Sequence, residues 1–146
     1  FKRSQLYGTH LEGVLVADAG TIFSLTRITS NGEFAGGQLI PGLALQLSAM
    51  TNGAKNLQNP GSINPDIEHF PFHTSEAMQR GSLQALVAPL IDAIQETKMP
   101  LWLCGGDASV LQEALSQRGL DVVHHPNLVL EGMVDVHDRI SRAPSL

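Results

Sequence analysis

The chain has 146 residues, 42% hydrophobic and 16% charged, which is too apolar and too weakly charged for disorder and long enough for one well-cored domain. A formal charge of −5 with 9 Lys and Arg offers no basic footprint for nucleic acid or an anionic lipid surface. No apolar run reaches the length of a membrane-spanning helix, and the lone Cys104 excludes an internal disulfide and favours a reducing cytoplasm.

Glycines cluster between Gly8 and Gly42, with short apolar stretches between them. Val14 to Ala17 reads as a buried strand bounded by Gly13 and by Asp18-Ala19-Gly20. Ile22 to Thr29 is rich in β-branched residues and predicts a second strand. Asn31-Gly32 supplies the positive-φ pair that suits a tight hairpin turn, and Glu33 to Ile40 predicts the returning strand. Gly36-Gly37 inside it predicts a bulge or a close backbone approach. The pattern is a three-stranded antiparallel meander.

After Pro41-Gly42 the spacing of Leu43, Leu45, Leu47 and Met50 suits a short helix ending near Gly53. Asn56 to Pro71, with its prolines, asparagines and glycine, predicts a long loop of the kind that often carries function. Thr74 or Ser75 is expected to cap a helix with Glu76 in its first turn. Leu83, Leu86, Val87, Leu90, Ile91 and Ile94 give that helix one apolar face, with a kink or two abutting helices expected at Pro89. Leu101 to Cys104 predicts a strand ending at Gly105-Gly106, and Asp107 is placed to cap a helix to Gln117 that Gly119 closes. Asp121 to Val123 predicts a strand and Leu128 to Ile140 a final helix. The whole is an α/β domain, a meander followed by βαβα units with helices on a mixed sheet.

Two turns invite chemistry. Asp18-Ala19-Gly20-Thr21 ends a buried strand: its backbone amides can cradle phosphate, the Thr21 hydroxyl can donate to it, and Asp18 can hold a cation. An ordinary hairpin turn would use the same residue types. Gly105-Gly106-Asp107 joins a strand to a helix start, where a nucleotide can approach the backbone, or where a plain β–α turn can sit. The six histidines do not assemble a transition-metal set. Pro71 separates His69 from His73, His124 and His125 are adjacent, and there is no second cysteine. Cys104 reads as a buried strand residue.

Asp18-Ala-Gly-Thr21, Gly36-Gly-Gln-Leu-Ile-Pro-Gly42, His73-Thr74 leading to Ala77-Met78 and Gly81, Cys104-Gly-Gly106 and His125-Pro-Asn-Leu-Val-Leu-Glu-Gly132 follow in this order. That order resembles the C-terminal half of type III pantothenate kinase, of the acetate and sugar kinase/actin-like ATPase superfamily, over roughly residues 14 to 137. The resemblance implies a ribonuclease H-like/actin-like ATPase domain and ATP-dependent phosphorylation of pantothenate to 4'-phosphopantothenate, the first step of coenzyme A biosynthesis. It implies ATP with Mg2+ and a monovalent cation, K+ or NH4+, as cofactors, a homodimer, and a cytoplasmic location. By position it implies a cation on Asp18, ATP at Gly20, Thr21, Gly105 and Gly106, and pantothenate at Thr74.

The family carries an upstream half with its own phosphate turn, and a catalytic Asp in a Gly-x-Asp-Arg segment shortly before the strand that ends in Asp-x-Gly-Thr. Here Leu6-Tyr7-Gly8-Thr9 runs into His10-Leu11-Glu12-Gly13 with no Asp-Arg pair. A missing stretch near Thr9-His10 is therefore expected, no catalytic residue is assigned, and the chain alone is expected to be inactive. Ile22 and Ser24 stand where the family usually has Ala and Thr. Residues 1–13, starting at Phe1 rather than Met, are expected to be a remnant of the upstream half or a linker, and residues 14–146 the C-terminal actin-like ATPase domain. Another kinase or phosphatase of the superfamily, or a non-catalytic nucleotide-binding or regulatory homologue, stays open at this point.

Overall fold

A computed structural model describes residues 12–141. The expected interruption at Thr9-His10 and most of the 1–13 segment lie outside the described residues. The elements in chain order are β1 (Val14–Ala19), β2 (Ile22–Ile28), β3 (Phe34–Pro41), α1 (Leu43–Gly53), α2 (Thr74–Thr97), β4 (Leu101–Cys104), α3 (Ala108–Ser116), β5 (Val123–His124) and α4 (Leu128–Ser141). They form one five-stranded sheet in the order β3-β2-β1-β4-β5. β1 is antiparallel to β2 and parallel to β4, so the meander and the βαβα half meet at the β1–β4 seam.

Period-two alternation gives this sheet two different faces. Leu15, Ala17 and Ala19 of β1, Phe23 and Leu25 of β2, and Leu101 and Leu103 of β4 enter one buried cluster. Leu83, Leu86, Val87 and Leu90 of α2 and Leu111, Ala114 and Leu115 of α3 close over it. The apolar stripe predicted from 3/4 spacing is therefore the buried face of α2. The intervening residues Val16 and Asp18 of β1 turn to the other face, beside their register partners Trp102 and Cys104. That face is less densely covered: Val16 and Asp18 are half-buried, while Trp102 and Cys104 are buried.

Several local expectations need correction. Of Asn31 and Gly32, only Gly32 has positive φ, at 84°. The Gly32 amide donates to Thr29 O and the Thr29 amide to Glu33 O, each at 2.9 Å. This is a three-residue loop with one left-handed glycine, not the two-residue turn that needs a positive-φ pair. The N-cap of α2 is His73, which places Thr74 inside the helix, and no side chain caps that end. Pro89 lies within an unbroken α2 rather than between two helices. The missing amide leaves Ala85 O without its usual donor, and Ala85 is exposed, so water can replace it. Asp107 stands at the N-cap of α3, yet its carboxylate makes no cap bond. The strand expected from Asp121 begins only at Val123.

Other local expectations hold. β3 shifts register against β2 between Thr26 and Ile28, and Gly36 takes φ 98° at the bulge. Gly119, φ 73°, donates its amide to Ser116 O at 2.9 Å while the Leu120 amide donates to Leu115 O at 3.1 Å, the paired bonds of a glycine-closed helix end.

Candidate functional site

The site is built at the carboxyl ends of the two parallel strands, β1 and β4, the edge at which open α/β sheets bind ligands. β1 ends in Asp18-Ala19 and turns through Gly20-Thr21, while β4 ends in Cys104 and turns through Gly105-Gly106-Asp107. The two turns are joined directly, because the Asp107 amide donates to Ala19 O at 3.0 Å. A third piece joins them from the meander, with the Gly42 amide donating to Thr21 O at 2.9 Å.

Two glycines are required by the fold itself. Gly105 has φ 91°, and a Cβ there would lie 2.5 Å from Asp18 Oδ1, 2.6 Å from Ala19 N and 2.7 Å from Ala19 C. A Cβ on Gly42 would overlap Gly20 O and crowd Thr21 O at 2.8 Å. The β1–β2 turn is thus held between two glycine backbones, one from each half of the sheet.

Gly20 and Gly106 differ from these. Neither has a left-handed φ; a Cβ on Gly20 would meet Ile22 O at 3.6 Å and Asp18 Oδ1 at 3.8 Å, ordinary contacts, and one on Gly106 would meet nothing within 4 Å. The bare backbone of Gly106 faces open space that the protein does not fill, and Gly20 keeps only ordinary van der Waals neighbours. This is the geometry expected where a ligand comes close to the main chain.

Asp18 occupies the middle of the site. Its register partner on β2 is Ser24 and on β4 is Cys104, so a hydroxyl and a thiol flank the carboxylate on the same face. Among the described residues no hydrogen bond or ion pair engages it. A half-buried carboxylate without a protein partner is a hard oxygen donor of the kind that suits a cation such as K+ or Mg2+. Among the described residues no group of three or more His, Cys, Asp or Glu could hold a metal ion, so the site does not fit a transition metal. Cys104 is buried and donates to Ala17 O at 3.6 Å. Burial, and then the Asp18 charge, push its thiol up to about 11, which makes it inert rather than nucleophilic. Burial also raises the Asp107 carboxyl above its ordinary value.

Asp18, Gly20, Thr21, Gly105 and Gly106 are therefore brought together. Thr74 is exposed on the first turn of α2, and no contact joins it to these turns among the described residues. The long loop is tied to the helices by the Asn64 amide on Gln79 Oε1 at 2.9 Å and by Gln117 Nε2 on Asp66 Oδ1 at 2.7 Å. Sequence reasoning noted Ser24 only as a departure. Counting back from the Ala19↔Phe23 pair across the short turn would have placed it opposite Asp18.

Comparison with known proteins then decides the family. A family model for type III pantothenate kinase matches residues 4–96. The chain belongs to the type III pantothenate kinase family. A type III pantothenate kinase of Porphyromonas gingivalis is 32% identical over 127 residues, covering 82% of this chain and 51% of the relative. One from Synechococcus sp. (strain JA-3-3Ab) is 32% identical over 142 residues, covering 90% and 57%. The chain thus spans about half the length of the curated relatives it matches.

Solved structures support the fold of this pantothenate kinase family chain. A protein described as a Baf family transcriptional activator from Campylobacter jejuni superposes with TM-score 0.63 at 23% identity, over 90% of this chain and 60% of that one. The ethanolamine utilization protein EutJ from Carboxydothermus hydrogenoformans superposes with TM-score 0.50 at 15% identity, over 86% and 48%. The domain shares the mixed α/β fold of these structures, the fold class expected from its sequence. Among the described residues no helix is long and apolar enough to cross a membrane.

Proposed function

We propose that this chain is the C-terminal half of an enzyme that phosphorylates pantothenate with ATP, giving 4'-phosphopantothenate, and that the complete enzyme works as a homodimer. The observation that carries the reading is the junction of the β1–β2 and β4–α3 turns around an unengaged Asp18 carboxylate, with the Gly106 backbone open to a ligand. Phosphoryl transfer depends on positioning and charge neutralisation more than on covalent chemistry, and this edge of the sheet supplies parts for both. The Gly20-Thr21 turn would donate to ATP phosphates and Gly105-Gly106 would border the nucleotide. Asp18 would hold the monovalent cation, whose bound charge would offset that of the phosphates, with Ser24 as its cross-strand neighbour. Thr74 would face pantothenate. In this reading residues 14–146 are the actin-like domain and residues 1–13 a remnant of the upstream half or a linker.

The missing part is the catalytic base. Tyr7-Gly8-Thr9-His10 carries no Asp-Arg, so the 146-residue chain alone is expected to show little turnover. Substantial pantothenate phosphorylation by this chain alone would refute that expectation. For substrate class, a screen of pantothenate, hexoses and short acids with a full-length enzyme carrying this half decides the matter. Phosphorylation of a hexose or an acid without pantothenate would overturn the reading. Gly20→Ala tests the site: the melting temperature is expected to stay within a degree or two of the parent, because the new Cβ makes only ordinary contacts, while ATP affinity falls about tenfold, or ~1.4 kcal/mol. Unchanged ATP affinity in that variant would remove the turn from the nucleotide site.

A further inference from the structure

A second cluster lies at the far end of α3. Arg80, on α2, donates from Nη2 to Gln84 Oε1 at 3.4 Å, and Arg118, just past α3, donates from its own Nη2 to the same oxygen at 3.0 Å. Two guanidinium cations thus share one neutral acceptor. Arg80 Nη2 also lies 2.7 Å from His69 Nδ1, and Nη1 donates to Ile67 O at 3.5 Å. Arg118 donates from Nη1 to Ala114 O. Every acceptor in this set is uncharged if His69 is neutral.

No carboxylate among the described residues forms an ion pair with either arginine, although the chain carries 14 Asp and Glu. The acids close in sequence are not used: Asp66 accepts from Gln117 instead, and Glu76, four residues before Arg80, makes no pair with it. Arg80 Nε is buried with no acceptor. Burial and the charge of Arg80 both disfavour the charged form of Arg118, so the pair stands in mutual repulsion that the protein does not compensate. Like charges arranged this way are relieved by an anion that bridges them.

We infer that Arg80 and Arg118 form a binding site for a phosphate group, free or carried on an ester, on the side of the domain away from the Asp18 turn. Two guanidinium forks, one from α2 and one from the turn after α3, suit a tetrahedral dianion, whose oxygens can meet both, better than a carboxylate, which pairs in one plane with one fork. The site is separate from the nucleotide edge. Gly105-Gly106-Asp107 lies at the start of α3 and Arg118 beyond its end, about 14 Å along a nine-residue helix.

The test is calorimetric titration of the 146-residue chain with inorganic phosphate and, separately, with glycerol 3-phosphate, at constant ionic strength set by NaCl. Binding is expected, weakened tenfold or more by Arg118→Gln and by Arg80→Gln, less by Arg118→Lys, and unchanged by Gly20→Ala. Tighter binding of the ester points to a phosphorylated metabolite and tighter binding of phosphate to the free ion; both support the site. Melting curves select whichever glutamine variant folds like the parent. Absence of phosphate binding to the parent chain, equal affinity in that folded variant, or loss of binding in Gly20→Ala would overturn the inference.

Discussion

Replacing Gly105 with Ala probes the contact on which the site is built. The added Cβ would enter at 2.5–2.7 Å from Asp18 Oδ1 and from the N and C atoms of Ala19. Side-chain rotation can relieve the first contact, but the other two are main chain in a central strand and must be relieved by moving β1 or β4. Overpacking of this kind costs about 1–3 kcal/mol. The backbone, at φ 91°, adds roughly 1–2 kcal/mol for any L-residue held left-handed. The sum of about 2–5 kcal/mol is a large share of the ~5–15 kcal/mol that holds such a domain together. In urea, with a slope near ~2 kcal/mol/M, the midpoint should fall by about 1–2.5 M. Gly106→Ala is the matched control: its Cβ meets nothing within 4 Å and its φ is not left-handed, so its midpoint should stay level or rise slightly. A Gly105→Ala midpoint no lower than that of Gly106→Ala would refute the close packing of β4 against β1.

Gly42→Ala should lower stability through collision alone, since its φ of −67° suits any residue, and circular dichroism melts will show a drop that Gly53→Ala does not share. Cys104 should be unreactive to a thiol reagent at pH 8 in the folded chain and react at once in urea, because a thiol near 11 is almost wholly protonated there. The sign of its linkage follows: the folded state keeps a proton that the unfolded chain loses from about pH 9, so stability falls as pH rises from about 9 to about 11. That slope should flatten in Cys104→Ala, and an unchanged slope would contradict the assignment. Asp107→Asn should be neutral or stabilising at pH 7, against the ~1 kcal/mol usually lost with a helix cap, because the carboxylate makes no cap bond and burial disfavours its charge. The gap between variant and parent should close as pH falls and the parent carboxyl takes up its proton.

Short-range features were legible in the sequence. The Gly36 bulge, the Gly119 helix end and the apolar stripe of α2 each follow from residues a few positions apart, whose backbone needs are set locally. Errors began where one neighbour could replace another. His73 instead of Thr74 or Ser75 precedes α2, and Gly32 alone supplies the left-handed residue of its loop. The Asp107 carboxylate makes no cap bond because its backbone, at φ −95° and ψ 7°, is outside the extended region that aims an N-cap side chain at the helix amides. Long-range placement stayed hidden. The motif residues Gly105 and Gly106 look equivalent in sequence, yet only the first is clamped against β1. The meeting of Arg80 with Arg118 depends on α2 packing beside the turn that follows α3, and no local pattern marks it.

The β1–β4 seam also sets when the two turns can meet. β1 finds β2 through a turn of a few residues but meets β4 only after α1, the long loop and α2 have been traversed, and contacts so distant in sequence close late. A chain with a finished meander and an open seam has Asp18 and Gly20 in place but nothing from Gly105 or Asp107 beside them. If the proposed nucleotide site is correct, nucleotide present during refolding should stabilise only the closed sheet. A single cut in the 56–71 loop that let the fragments part would separate the two turns while sparing every residue in them. In the proposed reading, occupancy of this site is a measure of completed folding.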